Sequence, residues 1–398
     1  MNSILKQAFS INDDLIRYRR YLHSNAETGF KLQKTVAYIK DCLREIGCEP
    51  CDIGNCGVYT IIGNKRKECI MLRADTDALP IKEETTLPFA SKENMHACGH
   101  DMHTAMLLGA ARILKSRENE IKTPVKLLFQ PAEELLLGAK NMIESKILVN
   151  PQVVAAYMLH ITVNTPFKTG TLTVSNEGTS APSADYFEIT VKGKGCHGAM
   201  VNTGIDPIIS AAHIITALDS IKTRELSLYD SAALTVGCIQ AGKVHNIIPE
   251  QATIKGTTRA FDEDVRETVK ESIVRIAEGV AASLKAVAEV NFSSGCPTLK
   301  NDRKLSEKAI LCLKREIGDG LVISSADAAK QSRINQRSSG SEDFAFFSHK
   351  VPSLMIGLSA GSTNEGYDFP LHHPKVVLNE DALPYGAAAI ATLAFYYE

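Results

Sequence analysis

Three segments in the first half of the chain, "CIMLRAD", "VKLLFQ" and "VVAAYMLHI", are apolar at nearly every position rather than at every second one. A strand with one face on a core alternates apolar and polar residues. Continuous apolarity means that both faces are covered, which is the condition of a parallel sheet with helices on either side. The stretches between them, "DMHTAMLLGAARILKS" and "GAKNMIESKIL", have helical period, and Asp101 stands where the first would take its N-cap. Strand and helix in alternation predict an α/β fold on a mainly parallel sheet. "VPSLMIGLSA" and a closing helix in "NEDALPYGAAAIATLAFYYE" carry the pattern to the C-terminus.

Near residue 180 the period changes. "ADYFEITVKGKG" alternates, with Phe187, Ile189 and Val191 on one face, and is followed by helix, strand, strand, helix and strand. That βαββαβ order predicts a ferredoxin-like α+β domain over 181–295. It interrupts a discontinuous α/β domain made of 1–180 and 296–398. A chain of 398 residues has room for both.

Composition narrows the function. The chain is 44% apolar and 23% charged with a formal net charge of −2. It has no basic block that would draw nucleic acid or an anionic membrane. No leader peptide or membrane span is expected, because no unbroken apolar run of the required length occurs. Ten cysteines in such a chain read as reduced thiols of a cytoplasmic protein. Cys48 and Cys51 form a C-x-x-C open to zinc, yet their segment reads as helix, turn and strand with cysteine packed as a small hydrophobe.

The polar residues fall in a pattern. Asp75 and Asp77, then Glu133 and Glu134, then His160 each follow a separate apolar strand at its C-terminal end. Open α/β sheets build sites at that edge. "MHACGHDMH" adds thiol and imidazole groups just before a helix. Thiolate, imidazole and carboxylate are the ligands of zinc-like divalent ions, and Cys98 and His100 can reach one centre from one loop. The helix N-terminus is expected to favour the thiolate of Cys98. Adjacent Glu133 and Glu134 point differently, so one can bind metal while the other handles the proton of an activated water.

Blander readings apply elsewhere. His213, His23 with Glu27, and His349 fit core or surface roles, and a Glu-Glu pair alone carries little. Two rivals stay open: a cysteine hydrolase with Cys98 as nucleophile, and a non-catalytic metal- or peptide-binding protein with saturated coordination. Activity in the presence of a chelator separates the cysteine hydrolase from a metal-dependent one, and absence of any turnover supports the non-catalytic reading.

The stretches "LRADTDALP", "HACGHDMHTAMLLGAA", "FQPAEE", "LHI", "GKGCHGA", "GIDPI", "VHNIIPE", "GTTR", "GSEDFAFF" and "LHHP" make the chain resemble, over nearly its whole length, the N-acyl-L-amino-acid amidohydrolases. These are the hippurate- and auxin-conjugate-hydrolase branch of the aminoacylase and carboxypeptidase metallopeptidases. The resemblance implies two divalent ions per subunit, manganese or zinc, with cobalt or nickel as further choices. It implies Cys98 bridging them, with His100, Glu134, His160 and His372 as the other ligands. His372 is preferred to His373 because it follows the leucine of the "LH-x-P" pattern. Glu133 would be the general base and Asp77 an acidic support behind the ligands.

The resemblance further makes 181–295 a lid and homodimerisation domain. His197 would stabilise the oxyanion, and Asn246 and Arg259 would hold the substrate carboxylate, which a planar guanidinium matches bidentately. The implied substrate is a small N-acyl amino acid; a dipeptide or small peptide is the alternative, since the same site cleaves either bond. The chain departs from the branch at Leu135–Leu137, where glycines are usual, at Val201-Asn202 after the lid histidine, and at Asn25-Ala26. None of these removes a ligand.

Overall fold

The computed structural model describes residues 4–175, 178–324, 327 and 340–397. They form two compact units, one within Met1–Ser180, Lys300–Arg337 and Asp343–Glu398, the other within Ala181–Leu299 and Ser338–Glu342.

The first unit begins with α1 (Ile4–Ser10), α2 (Asn12–Ser24), α3 (Gln33–Ile46), β1 (Cys51–Ile53), β2 (Gly57–Ile62), β3 (Glu68–Asp75), α4 (His100–Ser116), β4 (Val125–Gln130), α5 (Gly138–Glu144), β5 (Gln152–Thr162) and β6 (Leu172–Val174). The second unit contributes β7 (Ser183–Lys192), α6 (Pro207–Leu218), β8 (Ala232–Ala241), β9 (Gln251–Ala260), α7 (Glu263–Ser283) and β10 (Val287–Cys296). The chain then completes the first unit with α8 (Arg303–Ile317), β11 (Val322–Ser324), β12 (Ser353–Ser359) and α9 (Leu383–Phe395).

The large sheet has the order β1-β2-β4-β3-β5-β12-β6-β11. Its central strands β4, β3, β5 and β12 are mutually parallel. Every residue of β4 is buried, as are all but the first of β3, so both faces are covered as the apolar runs require. Parallel register aligns the strand ends: Asp75 lies opposite Gln130, and His160 opposite Gly357. Residues just past these positions share one edge of the sheet.

In the second unit an antiparallel sheet of order β8-β9-β7-β10 carries α6 and α7 on its apolar face. Phe187, Ile189 and Val191 are buried there beside Ile214 and Ile273. Asp206 and Asp262 cap α6 and α7 by accepting backbone N–H groups of the first turns. The element order is βαββαβ.

Four local expectations are corrected or settled here. Asp101 does not cap α4: Gly99 does, in the left-handed region at φ 82°, and the Asp101 side chain is buried inside. Asp101 Oδ2 accepts from Arg19 Nε (3.2 Å) and His23 Nδ1 (2.8 Å), a charged pairing that outweighs a cap hydrogen bond. His23 and Glu27 are structural, Glu27 accepting the N–H groups of Lys34 and Thr35 at the start of α3. His213 and His349 are exposed. All ten cysteines are free, and Cys42 and Cys48 pack in the core under α3.

Candidate metal centre

Asp77, two residues beyond β3, is fully buried. Its Oδ1 accepts the backbone N–H of Glu133 (3.0 Å) and its Oδ2 that of Glu134 (3.3 Å). Its backbone oxygen accepts from His100 Nδ1 (2.8 Å). One carboxylate on two consecutive N–H groups fixes the turn after β4. A carbonyl partner requires a proton on His100 Nδ1, which leaves Nε2 as the ring atom turned toward the glutamates.

That Nε2 lies 3.8 Å from Glu134 Oε1 and 4.0 Å from Glu133 Oε2. It is buried, and no hydrogen-bond partner reaches it among the described residues. His160 donates its Nδ1 proton to Ile161 O (2.7 Å), which leaves Nε2 at 3.7 Å from Cys98 Sγ. His372 Nε2 stands 3.7 Å from Glu134 Oε1. His373 turns away, its ring stacked on Phe369 at 4.5 Å and its Nδ1 accepting from Lys375 N.

Three overlapping sets each bring donor atoms within 4.8 Å of one another: Cys98, His100 and His160; Cys98, Glu134 and His372; His100, Glu133 and Glu134. Sulfur, imidazole nitrogen and carboxylate oxygen at such spacing suit zinc-like divalent ions. Cys98, His100 and Glu134 each belong to two of these sets. A buried imidazole nitrogen without a partner is costly unless a cation takes its lone pair. The residues fit a pair of ions.

Electrostatics corrects one expectation. Burial and the Glu134 carboxylate push the Cys98 thiol up, so the helix end alone does not make it a thiolate. A buried sulfur loses the solvation of its anion, whereas the helix terminus offers only a partial charge. Deprotonation at this position requires a cation beside the sulfur. Burial also brings His160 and His103 down to about 4 and lowers His372. Those rings are neutral near pH 7, the form that binds metal.

Several contributors went unassigned in the sequence. His103 Nδ1 donates to Asp75 Oδ1 (2.6 Å), and His103 Nε2 accepts from Ile161 N (2.9 Å), next to His160. The three-residue spacing of His100 and His103 on one helix is the signal that could have revealed it. The backbone is also special. Ala132 (φ 57°), Leu136 (φ 55°) and His372 (φ 66°) are left-handed although they carry side chains. Each such residue costs about 1–2 kcal/mol. Here hydrogen bonds from Leu136 N to Glu133 O (2.7 Å), Gly138 N to Ala132 O (3.1 Å) and His372 N to Ala97 O (2.9 Å) hold them.

In the second unit, His197 and Ile247 are paired residues of a two-stranded ladder, and Gly198 N donates to Asn246 O (2.8 Å). His197 and Asn246 are therefore neighbours. His197 Nδ1 accepts from Ala199 N (3.0 Å). Arg259 lies near the far end of β9, its guanidinium on Thr257 Oγ1 (2.5 Å) and Thr258 O (2.9 Å) with Tyr186 beside it. From Gln251 to Arg259 is eight steps of extended strand, roughly 26 Å at about 3.3 Å each.

The model for peptidase family M20/M25/M40 matches residues 71–396. The chain is 38% identical over 388 residues to an N-acetylcysteine deacetylase of Bacillus subtilis, covering 96% of each chain. It is 34% identical over 401 residues to the hippurate hydrolase of Campylobacter jejuni, covering 99% of each. Among solved structures it superposes on the YXEP protein of Bacillus subtilis, a dinuclear metal-binding peptidase of family M20. That match has a TM-score of 0.78 at 35% identity and covers 97% of this chain and 98% of that one. The chain belongs to peptidase family M20/M25/M40, in its amidohydrolase branch.

Proposed function

We propose that the chain is a metal-dependent amidohydrolase that splits an N-acyl amino acid into a carboxylic acid and the free amino acid. The observation that carries this reading is the convergence of Cys98, His100, Glu133, Glu134, His160 and His372 at one sheet edge, with Asp77 clamping the two glutamates. Cys98 would be shared between two divalent ions, manganese or zinc, and His100, Glu134, His160 and His372 would complete their ligands. Such ions supply Lewis acidity to the scissile carbonyl and to water.

The remaining work belongs to the protein. Glu133 takes a proton from the attacking water and returns it to the leaving amine nitrogen as the C–N bond breaks, so protons balance across hydrolysis. Asp77 keeps Glu133 and Glu134 on separate tasks by holding both backbone N–H groups. His197 donates a hydrogen bond to the developing oxyanion. Asn246 and Arg259 hold the substrate carboxylate.

The distance along β9 supports assembly of this machinery from two copies. A substrate of a few ångströms cannot touch both Arg259 and the His197–Asn246 pair of one chain. A homodimer through the second unit resolves this, and the edge strand β8 with exposed Ile239, together with exposed Val244 and Ile247 nearby in sequence, offers a surface for pairing. Ten free cysteines fit a reducing compartment such as the cytoplasm. No described helix is long and apolar enough to cross a membrane.

The test is hydrolysis of N-acetyl, N-benzoyl and longer N-acyl amino acids, and of dipeptides, by purified protein before and after chelation. Activity lost to a chelator and restored by Mn²⁺, Co²⁺ or Zn²⁺ is expected. Full turnover by an extensively chelated sample refutes the reading. Mixing His197→Ala with Glu133→Ala protein tests the shared site, because only a hybrid dimer can recover activity.

A further inference from the structure

The "GSEDF" stretch has no task in this account, yet the structure carries Asp343 directly to the proton-handling glutamate. Asp343 N donates to Glu133 Oε1 (3.3 Å). The Asp343 carboxylate is fully buried and is gripped by three groups of the strand ends and turn around Glu133. Its Oδ2 accepts from Ala139 N (2.8 Å), both oxygens accept from Gln130 Nε2 (2.9 Å each), and Oδ1 accepts from Arg73 (2.8 Å).

Arg73 is itself buried, with its Nε on Gln130 Oε1 (3.0 Å), another nitrogen on Asp75 Oδ2 (2.7 Å) and the Phe344 ring at 6.0 Å. Asp75 continues to His103 and from there to the backbone beside His160. One buried guanidinium therefore bridges two carboxylates, one on the Glu133 side of the site and one on the His160 side.

Burying this much charge is expensive, and apolar packing of the same volume would often be at least as stable. What such a cluster supplies is geometry. One guanidinium nitrogen on Oδ1, the Gln130 amide on both oxygens and the Ala139 N–H on Oδ2 fix Asp343 in orientation as well as position, and its peptide N–H is then aimed at one oxygen of Glu133.

We propose that Asp343, with Arg73 as its buried counter-ion, is a positioning residue that orients the Glu133 carboxylate for proton transfer. In this role it acts through Glu133, not on substrate or metal. The proposal rests on the reading of Glu133 as the proton carrier.

A double-mutant cycle on the metal-loaded full chain tests it, using the panel substrate of highest turnover. Asp343→Asn should lower kcat roughly 10–100-fold, the range for removing an orienting partner behind an active-site group. KM should stay within about two-fold and metal content should be unchanged. In a Glu133→Gln background the same change should cost less than about two-fold more, because the group it acts through is gone.

An equal loss in both backgrounds, or loss of metal with Asp343→Asn, overturns the proposal. Full kcat in Glu133→Gln alone instead removes Glu133 from proton transfer, so the two failures are distinct. If Asp343→Asn does not fold, Gln130→Met takes its place. It withdraws one donor from Asp343 at near-constant volume and is judged by the same criterion.

Discussion

Gly99 separates the two ligands proposed from one loop, and replacing it by alanine tests how tightly that loop is held. At φ 82° the position is left-handed, and an added Cβ would stand 2.7 Å from Ile161 Cγ1, 2.8 Å from Ile161 Cδ1 and 3.0 Å from Leu378 Cδ1. The backbone term is about 1–2 kcal/mol for a residue with a Cβ in this region. Overpacking against two buried side chains adds about 1–3 kcal/mol. Together these give about 2–5 kcal/mol, or at the low end a fall in Tm of about 2–3 °C for a chain of this length. The collision has a direction, because Ile161 follows His160 and cannot yield without moving that ring. Metal content should fall along with stability. Thermal unfolding and elemental analysis read both quantities. Ile161→Val removes the Cδ1 atom, so Gly99→Ala should cost measurably less in that background. A Gly99→Ala protein within about 0.5 kcal/mol of the parent, or an unchanged cost beside Ile161→Val, refutes the reasoning.

The two glutamates should fail differently: Glu134→Ala should lose metal, whereas Glu133→Ala should keep it and lose kcat by roughly 10²–10⁴-fold. A metal-depleted Glu133→Ala protein beside a metal-replete Glu134→Ala protein reverses the two roles. Cys98→Ser should weaken metal binding, since a hydroxyl is a harder and less acidic ligand than a thiol; trapping of a stoichiometric acyl group on Cys98 would instead favour a cysteine nucleophile. Burial works against the charge on His23, but the Asp101 and Glu83 carboxylates outweigh it and raise its pKa to about 9. An unfolded histidine titrates near 6.5, so this stabilisation, about 3 kcal/mol, is present in full below that pH and is lost as pH rises through 9. His23→Phe should therefore lose more stability at pH 6 than at pH 10, and equal losses measured by denaturant at the two pH values would remove the ion network from the argument.

Periodicity carries topology well in this chain, because both units obey simple rules. Continuous apolar runs mean a covered parallel sheet, and alternation at 183–192 means a half-covered antiparallel one. The convergence of strand ends at one edge made Asp77, Glu133, Glu134 and His160 visible. What stayed hidden depends on contacts distant in sequence. Asp101 reads as a cap until Arg19 and His23 arrive to pair with it. The state of Cys98 depends on burial and on Glu134, neither of which shows in the loop itself. Arg73 looks like a polar interruption in a strand, and its reason is an aspartate 270 positions away. The left-handed Leu136 breaks a conformational preference outright, as residues held by a functional turn can do.

The strand order has a consequence for how the protein is made. β12 lies between β5 and β6, so the large sheet has a gap at its middle until residues 353–359 have been synthesised. Asp343 and His372 are later still or nearly so, whereas the second unit's sheet and helices are one continuous stretch ending about sixty residues earlier. On the ribosome the inserted unit can close on its own while the flanking one waits with an unfilled seam and unpaired strand edges. A chain released short of β12 would therefore carry half a sheet and lack the proposed ligand His372, which suits quality control: an unfinished copy exposes edges that chaperones and proteases can recognise.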